Sequence, residues 1–267
     1  AEPQPGIDPR VRGNALHAAL ERAWRELGGS DALQALDAGA RTALVARCVA
    51  VALDRHLPAH CGPRQRRLEA DWQQAAIEAL FEQELRRAPF SVAVIEGRLE
   101  GVLGGLPLDL RVDRVDRLPA GDLIVDYKTR RTSRFHWRGA RPEAPQLPLY
   151  AVMSPAPVAA VAFAAASPGQ ARFGAVGEAA AALPGLTPAE RFRLTEDGRR
   201  GFSWSEVQVH WAAWLARLAE RFRAGEAAVD PKQPQTCRLC HLATLCRVQP
   251  AQAAATAGPA EDDDDDA

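Results

Sequence analysis

Residues 91 to 129 form three consecutive segments that alternate or run apolar, with Gly, Pro and Asp between them. The segments are SVAVIEGRLEGVLGG, LPLDLRVDRVDRL and DLIVDYKT. This pattern is typical of three strands joined by short turns such as PAGD. The stretch therefore predicts an antiparallel meander, around which the rest of the chain must fold.

The second and third strands of the meander each lead to an acidic residue. RVD closes on Asp113, and IVD closes on Asp126, which is followed by Tyr127 and Lys128. Because a tight turn around LPAGD joins the two strands, we expect these two ends to lie near each other.

Helical periodicity precedes and follows the meander. The predicted helices are 14–27 with Asn14 as its cap, about 30–57 opened by Ser30 and Asp31, about 63–87, 144–153, and 203–224. Two further strands are predicted at 158–165 and 171–176. Helices, a meander, a helix, strands and a last helix in this order predict an α/β domain with a mixed sheet.

Two carboxylates that converge beside a lysine form a hard oxygen site, suited to Mg²⁺ or Mn²⁺. Such a site fits phosphodiester hydrolysis, in which the metal lowers the pKa of a bound water and neutralises charge on the phosphoryl oxygens. Lys128 would orient the water or stabilise the transition state. For the tripeptide Asp126 to Lys128 alone, the alternative is a surface ion pair in a turn.

The lysine itself is informative, because 33 basic residues include only two lysines, Lys128 and Lys232. Lysine is a movable point charge, whereas arginine is a rigid planar fork. A lysine here, in a chain that otherwise uses arginine, indicates that a compact ammonium is needed at this strand end.

The succession of strand, acid, turn, strand, acid, any residue and lysine resembles the PD-(D/E)xK nuclease superfamily, specifically its RecB-type and AddB-type exonuclease domains. Two further motifs are similar to that family, Gly-x-x-x-His in GNALH (13–17) and Gln-x-x-x-Tyr in QLPLY (146–150). The resemblance implies a restriction-endonuclease-like core, a central mixed β-sheet flanked by helices, with an N-terminal helical segment and a C-terminal Cys-rich segment.

The resemblance also implies roles for single residues. Asp113, Asp126 and Lys128 would be catalytic, His17 would be a metal ligand, and Tyr127 would give its main-chain carbonyl to the metal. Gln146 and Tyr150 would serve DNA binding and site organisation.

Two other acids compete for places in this site. Asp116 is an alternative to Asp113, but the spacing to the second acid in the family fits Asp113, and we expect Asp116 to face solvent or to pair with an arginine. Glu96, on the preceding strand, either supports the site or lies on a solvated face.

An arginine-rich stretch follows the catalytic strand. Its arginines are placed to meet DNA phosphates, or they form a solvated loop; they are Arg130, Arg131, Arg134 and Arg138. Phosphate contacts would make binding weaken steeply with salt. Trp137 in the same stretch is a candidate for stacking on a base.

Three cysteines near the C-terminus, Cys237, Cys240 and Cys246, have the spacing C-x₂-C-x₅-C, which favours soft metal ligation over disulfides. Zinc bound with His241 is one possibility, although His241 directly follows Cys240, and free structural thiols are another. The resemblance implies a [4Fe–4S] cluster that staples the domain ends. Its fourth ligand would be a cysteine upstream of His17, which this chain lacks; Cys48 and Cys61 are candidate substitutes.

Charge and hydropathy place the chain among soluble proteins. The run EDDDDD at 261–266 supplies six of the 34 acids, so the remainder has 33 basic and 28 acidic residues, a balance of +5. We expect residues 251–267 to be a disordered acidic tail. No apolar run reaches the ~20 residues of a membrane span. Residues 1–12 lack signal-peptide features, so a cytoplasmic location is expected.

These observations predict one nuclease domain over residues 1–250, with its first helices in 14–87, the meander in 91–129, and the last helix and cysteines in 203–247. The resemblance implies a divalent-metal-dependent DNA exonuclease of double-strand-break repair or recombination that acts with a helicase region or subunit. The alternatives are a catalytically inactive DNA-binding or helicase-docking scaffold, against which Asp113, Asp126 and Lys128 argue, and a zinc-ribbon interaction module.

Overall fold

The computed structural model describes residues 6–130, 134–139, 142–195, 197–231, 236–237 and 240–246. The helices are α1 (Pro9–Leu27), α2 (Ser30–Ala35), α3 (Ala38–His56), α4 (Pro63–Glu84), α5 (Gln146–Met153), α6 (Trp204–Arg223) and α7 (Ala243–Cys246). The strands are β1 (Ser91–Leu103), β2 (Leu106–Leu118), β3 (Gly121–Lys128), β4 (Val158–Ala165), β5 (Arg172–Gly177) and β6 (Leu186–Pro188).

The six strands form one sheet in the order β1-β2-β3-β4-β5-β6. Strands β1, β2 and β3 pair antiparallel, as the turn signals predict. β3 and β4 are parallel, so the chain must cross over between them, and α5 lies in that connection. β4 and β5 are antiparallel, and β5 and β6 are parallel. The predicted α/β class, with a mixed central sheet flanked by helices, is confirmed.

The middle of β3, Leu123 to Val125, is apolar because the strand is buried on both faces of the sheet. Leu123, Val125 and Tyr127 belong to a first core, in which α1, α3 and α4 pack on one face. Ile124 belongs to a second core, which α5 and α6 build on the other face. Side chains alternate along a strand, so Asp126 and Lys128 lie on the face of the second core.

The predicted start of the first helix is wrong. α1 begins at Pro9, five residues before Asn14, and its N-cap is Asp8, whose carboxylate accepts the Arg10 N–H at 2.7 Å. Asp followed by Pro is a strong start signal, because the acid caps free N–H groups and proline fits the first helical position. Asn14 lies inside the helix.

The single helix predicted over 30–57 is two helices. Leu36 is extended (φ −78°, ψ 132°) and ends α2. Asp37 then caps α3 by accepting the Ala40 N–H at 2.8 Å. The local cap at Asp37 outweighs the continuous helical periodicity on which the prediction depended.

α6 matches its prediction closely. Ser203 and Glu206 form a capping box, in which the Ser203 hydroxyl accepts the Glu206 N–H and the Glu206 carboxylate accepts the Ser203 N–H. Within the described ranges, none of the helices combines the length and apolar content that crossing a membrane requires.

Candidate metal and catalytic site

Asp126 and Lys128 lie at the carboxyl end of β3. Asp126 is 1 % exposed, and its Oδ2 makes an ion pair with Lys128 Nζ. The Lys128 side chain packs above Phe163, with Nζ 5.6 Å from the ring centroid, and keeps 33 % of its surface exposed. Asp126 is therefore fixed in the interior, while Lys128 reaches the surface beside it.

Asp113 lies within β2 and not at its end, which corrects the prediction. β2 continues to Leu118, and the register pairs Arg114 with Val125. The next position along this register brings Asp113 beside Asp126. There the Asp113 carboxylate accepts the Tyr127 N–H at 2.8 Å. The two acids do converge, as predicted, but through the strand register and not through the ends of two strands.

The alternation of side chains along β2 breaks at Asp113. Val112 packs in the second core, whereas Arg114, two residues later, lies over Trp24 and bonds Tyr127 in the first. Residues two apart on a regular strand share a face. The strand thus turns about its axis at Asp113, and this turn directs the carboxylate to the end of β3.

Glu96, on β1, has a backbone distortion at the same level of the sheet. Ile95 pairs with Arg114 and Gly97 with Val112, so Glu96 lies across from Asp113. Its φ of +51° is in the left-handed region, which costs a non-glycine residue roughly 1–3 kcal/mol. Such strain concentrates at functional sites. The Glu96 side chain is only 8 % exposed and pairs with Arg111.

His17, Glu96 and Asp113 together form a cluster of metal-binding groups. Each offers a ligand atom, and these atoms lie within 4.8 Å of one another. Opposite ligands of one Mg²⁺ are roughly 4 Å apart, so the cluster matches a single small cation. Within the described part of the chain, no other set of His, Cys, Asp and Glu side chains is arranged this way.

His17 has one nitrogen available for such a cation. Its Nε2 lies 3.1 Å from the Tyr127 carbonyl oxygen and donates to it, and its Nδ1 lies 3.5 Å from Asp113 Oδ2. In the neutral ring this tautomer leaves the lone pair on Nδ1, facing the carboxylates. The same contact places the Tyr127 carbonyl on the Nε2 side of the ring, away from the Nδ1 lone pair.

The electrostatics favour a bound cation. Burial, and after it the charge of Asp113, raises the pKa of Asp126 to about 6, although Lys128 opposes the shift. Burial and Asp113 likewise raise the pKa of Glu96. Burial by itself would lower the pKa of His17, but Asp113, Asp126 and Glu96 raise it. One divalent cation would stabilise the ionised forms of Asp126 and Glu96, which the charge of Asp113 disfavours.

Gln146 and Tyr150 lie on α5 and connect it to the site. Gln146 Nε2 donates to the Tyr150 hydroxyl at 2.8 Å, and that hydroxyl donates to the Arg111 carbonyl, two residues before Asp113. Tyr150 is buried at 4 % exposure, and its hydroxyl holds α5 against β2 beside Asp113. Its roles in DNA binding and in site organisation stay predictions. Gln146 is half-buried and remains a candidate DNA contact.

The arginine-rich stretch after β3 is only partly described. Arg130 is exposed beyond the end of β3. Arg131 and the Arg134 side chain lie outside the described residues. Arg138 lies over Phe192, 5.9 Å from the ring centroid.

The expectation that Trp137 stacks on a base is wrong. Its ring is fully buried and stacks on Phe163 at a centroid distance of 4.7 Å. Trp137 therefore belongs to the second core and cannot reach a nucleic acid base.

Sequence reasoning missed a buried ionic network behind β3, between α4 and β2. Arg114 Nη2 lies 2.7 Å from Glu84, and Arg87 Nη2 lies 2.8 Å from Asp116. All four side chains are at most 2 % exposed. Asp116 therefore pairs with arginines, one of its two expected outcomes, and does not face solvent. Arg114 also donates to the Tyr127 hydroxyl at 3.0 Å, which connects the network to the site.

The three C-terminal cysteines differ in their exposure to solvent. Cys240 is exposed, and its Sγ accepts the Leu242 N–H at 3.4 Å, while Cys237 and Cys246 are half-buried. Cys48 is buried in the first core, where burial raises the pKa of its thiol, and Cys61 is half-buried between α3 and α4. The cluster stays a prediction, and the acidic tail at 251–267 lies outside the described residues.

The family model described as the PD-(D/E)XK nuclease superfamily matches residues 1–247 of the 267-residue chain. The chain therefore belongs to the PD-(D/E)XK nuclease superfamily. Members of this superfamily are typically metal-dependent nucleases. No curated protein matches the chain.

Proposed function

We propose that this protein is a divalent-metal-dependent deoxyribonuclease that hydrolyses phosphodiester bonds as an exonuclease. The observation that carries the proposal is the convergence of His17, Glu96 and Asp113 on one small volume, with Asp126 and Lys128 at the neighbouring strand end. Family membership supports the same activity.

His17, Glu96 and Asp113, with Asp126 at the neighbouring strand end, would hold Mg²⁺ or Mn²⁺. The Tyr127 carbonyl, predicted as a further ligand, would have to exchange its bond to His17 Nε2 for the metal, because the two ring nitrogens point apart. When bound, such a metal lowers the pKa of a coordinated water and neutralises charge on the phosphoryl oxygens. The chain itself supplies the arrangement: the Tyr127 N–H fixes the Asp113 carboxylate, and the Tyr127 carbonyl fixes the His17 ring. Neither ligand needs to reorganise during the reaction, which favours catalysis by preorganisation.

Lys128 is the cationic side chain of this site. Its ammonium is held beside Asp126, and a third of the Lys128 side-chain surface is exposed to solvent. It can therefore contact a phosphate at the surface while it stays near the ligands. We assign it to orienting the attacking water or to stabilising the charge of the transition state.

The cellular setting is part of the proposal. We infer a RecB/AddB-type domain of residues 1–250, cytoplasmic, that acts on DNA ends in double-strand-break repair or recombination with a helicase region or subunit. The GNALH, DYK and QLPLY motifs and the C-x₂-C-x₅-C spacing support this subtype. Cys237, Cys240 and Cys246 would ligate a [4Fe–4S] cluster, whose fourth ligand this chain does not supply upstream of His17.

The test is degradation of end-labelled single-stranded and double-stranded DNA. We expect cleavage with Mg²⁺ or Mn²⁺ and none after chelation with EDTA, because the carboxylates need a cation to act on a phosphodiester. Asp126→Ala should lower the rate at least about 100-fold. Release of mononucleotides or short products from one end would support exonuclease action.

Asp109→Ala is the matched control. Asp109 is exposed on β2 and pairs with Arg98, so the same substitution there should leave the cleavage rate unchanged. Equal rates for the wild-type and Asp126→Ala proteins would show that the nuclease proposal is wrong at this site.

A further inference from the structure

The end of the sheet beside Lys128 carries a second feature that the metal site does not use. Lys128 pairs with Ala165 on β4, and Ala165 pairs with Arg172 on β5. The three residues therefore form one row across three adjacent strands. With strands about 4.8 Å apart, the Cα atoms of Lys128 and Arg172 are roughly 10 Å apart.

Arg172 extends from the same face of the sheet as Lys128. On β5, Phe173 and Ala175 pack in the first core, whereas Val176 packs in the second. Alternation therefore assigns Arg172 to the face of the second core. Lys128 lies on that face too, above Phe163. The two cations thus flank the strand end on one surface.

A groove of about 350 Å³ lies at this end of β4 and β5. It is lined by Ala165, Ser167, Gln170, Ala171 and Arg172. None of these lining residues is acidic. Gln170 and Arg172 are exposed, and neither makes an ion pair or side-chain hydrogen bond within the described residues. Their amide and guanidinium donors are therefore available to a ligand.

The groove is fixed to the catalytic strand. The Ser167 hydroxyl donates to the Thr129 carbonyl at 3.1 Å, and the Ala166 N–H donates to the Lys128 carbonyl at 2.8 Å. These bonds hold the turn between β4 and β5 at the end of β3. The distance between Lys128 and the groove is thus set by the fold.

We propose that Gln170 and Arg172 bind a phosphate of the DNA strand near the one that is cut. This inference rests on the proposed function, and it adds a positioning site for the substrate. A guanidinium binds a phosphate in a bidentate manner, and phosphate contacts set the register of a nucleic acid strand without reading its sequence. Arg172 and Gln170 would hold the strand at the carboxyl end of β4, one strand away from the catalytic Lys128.

The test compares Arg172→Ala with the wild-type protein, using a fluorescently labelled single-stranded oligonucleotide with Ca²⁺ in place of Mg²⁺. We expect the Kd to rise about tenfold and the slope of log K against log salt to fall by about 0.7, the change that one lost phosphate contact gives on a single strand. In Mg²⁺ the KM should rise with kcat within about twofold, because the contact exists in both the ground and transition states. Arg172→Lys should restore part of the affinity.

Arg47→Ala is the matched control, because Arg47 is exposed on α3, on the other side of the sheet, and pairs with Glu26. It should change neither the Kd nor the salt slope. Circular dichroism of each variant reports whether the fold is intact.

The outcomes separate the two proposals. If the wild-type protein cleaves DNA but the Arg172→Ala variant has an unchanged Kd and salt slope, the groove assignment alone is overturned. A protein that binds DNA through Arg172 but does not cleave it supports the groove and contradicts the nuclease. A protein that neither binds nor cleaves DNA overturns both.

Discussion

Lys128→Ala is expected to lower the rate of Mg²⁺-dependent DNA cleavage about 100- to 1,000-fold, the effect of removing one preorganised group that stabilises transition-state charge. The Lys128 ammonium lies against the Asp126 carboxylate and is partly exposed. The loss should fall on kcat, with KM changed little, because the charge that Lys128 contacts develops in the transition state. The measurement is steady-state cleavage of end-labelled DNA at saturating Mg²⁺.

Lys128→Arg is the companion variant for this result. It keeps the positive charge but replaces a compact ammonium by a planar fork. If the position needs only a cation, this variant should recover most of the rate; if it needs a point charge aimed at one water or oxygen, recovery should be small. Retention of more than a tenth of the wild-type kcat by Lys128→Ala would contradict the catalytic role.

The second large effect concerns stability. Arg114→Met should lower the free energy of unfolding by about 3–5 kcal/mol, because it leaves two buried carboxylates, Glu84 and Asp116, with Arg87 as their one remaining arginine partner in the network. Arg114 lies at the centre of the network, in contact with Glu84, Asp116 and the Tyr127 hydroxyl. Burial alone would raise the pKa of Glu84, but Arg114 and Arg87 hold it below its ordinary value. Urea unfolding monitored by circular dichroism gives the free energy.

The comparison for Arg114 is an exposed ion pair between β1 and β2. Arg98 pairs with Asp109, and both side chains are more than half exposed. Arg98→Met should leave the free energy of unfolding almost unchanged, since surface ion pairs contribute little. A loss below 1 kcal/mol for Arg114→Met would show that the buried network does not need this arginine.

The strands and long helices could be predicted because their sequences obey the periodicity of their elements. The run LIV (123–125) is apolar since β3 is buried on both faces, and the predicted strand 158–165 is β4 as the structure has it. α6 follows from its amphipathic pattern and its Ser203 cap. The predicted helix boundaries were wrong where a single N-cap residue sets the start of the helix. Asp8 starts α1 earlier than predicted, and Asp37 starts α3 within a stretch predicted as one helix.

The convergence of Asp113 and Asp126 could be predicted, but its cause could not. An acid within a strand contradicts strand patterning. The Tyr127 N–H and the His17 ring, both in contact with the Asp113 carboxylate, make the position tolerable. The left-handed backbone of Glu96 has no signal in the residue type, because glycine and asparagine are the residues that favour it. Glu96 was therefore weighed only as a supporting acid.

Sequence periodicity also failed to predict which charged residues are buried in the core. Arg114 and Asp116 alternate with apolar residues, so the pattern places them in solvent. They are buried because four charges, from the end of α4, the connection after it and β2, neutralise one another. No local window of sequence contains this compensation between distant segments. Trp137 shows the converse: its position in an arginine-rich stretch indicates a surface residue that stacks on a base, but its ring is buried against Phe163.

The central claim, that one hard cation is held by side chains of α1, β1, β2 and β3, is tested most directly by titrating the protein with Mn²⁺ and counting bound ions by electron paramagnetic resonance. We predict one bound Mn²⁺ per chain, with the affinity lowered at least about tenfold in each of His17→Ala, Glu96→Gln and Asp113→Asn, and unchanged in the control Asp109→Asn. Undiminished Mn²⁺ affinity in Asp113→Asn, or no bound ion in the wild-type protein, would contradict the account.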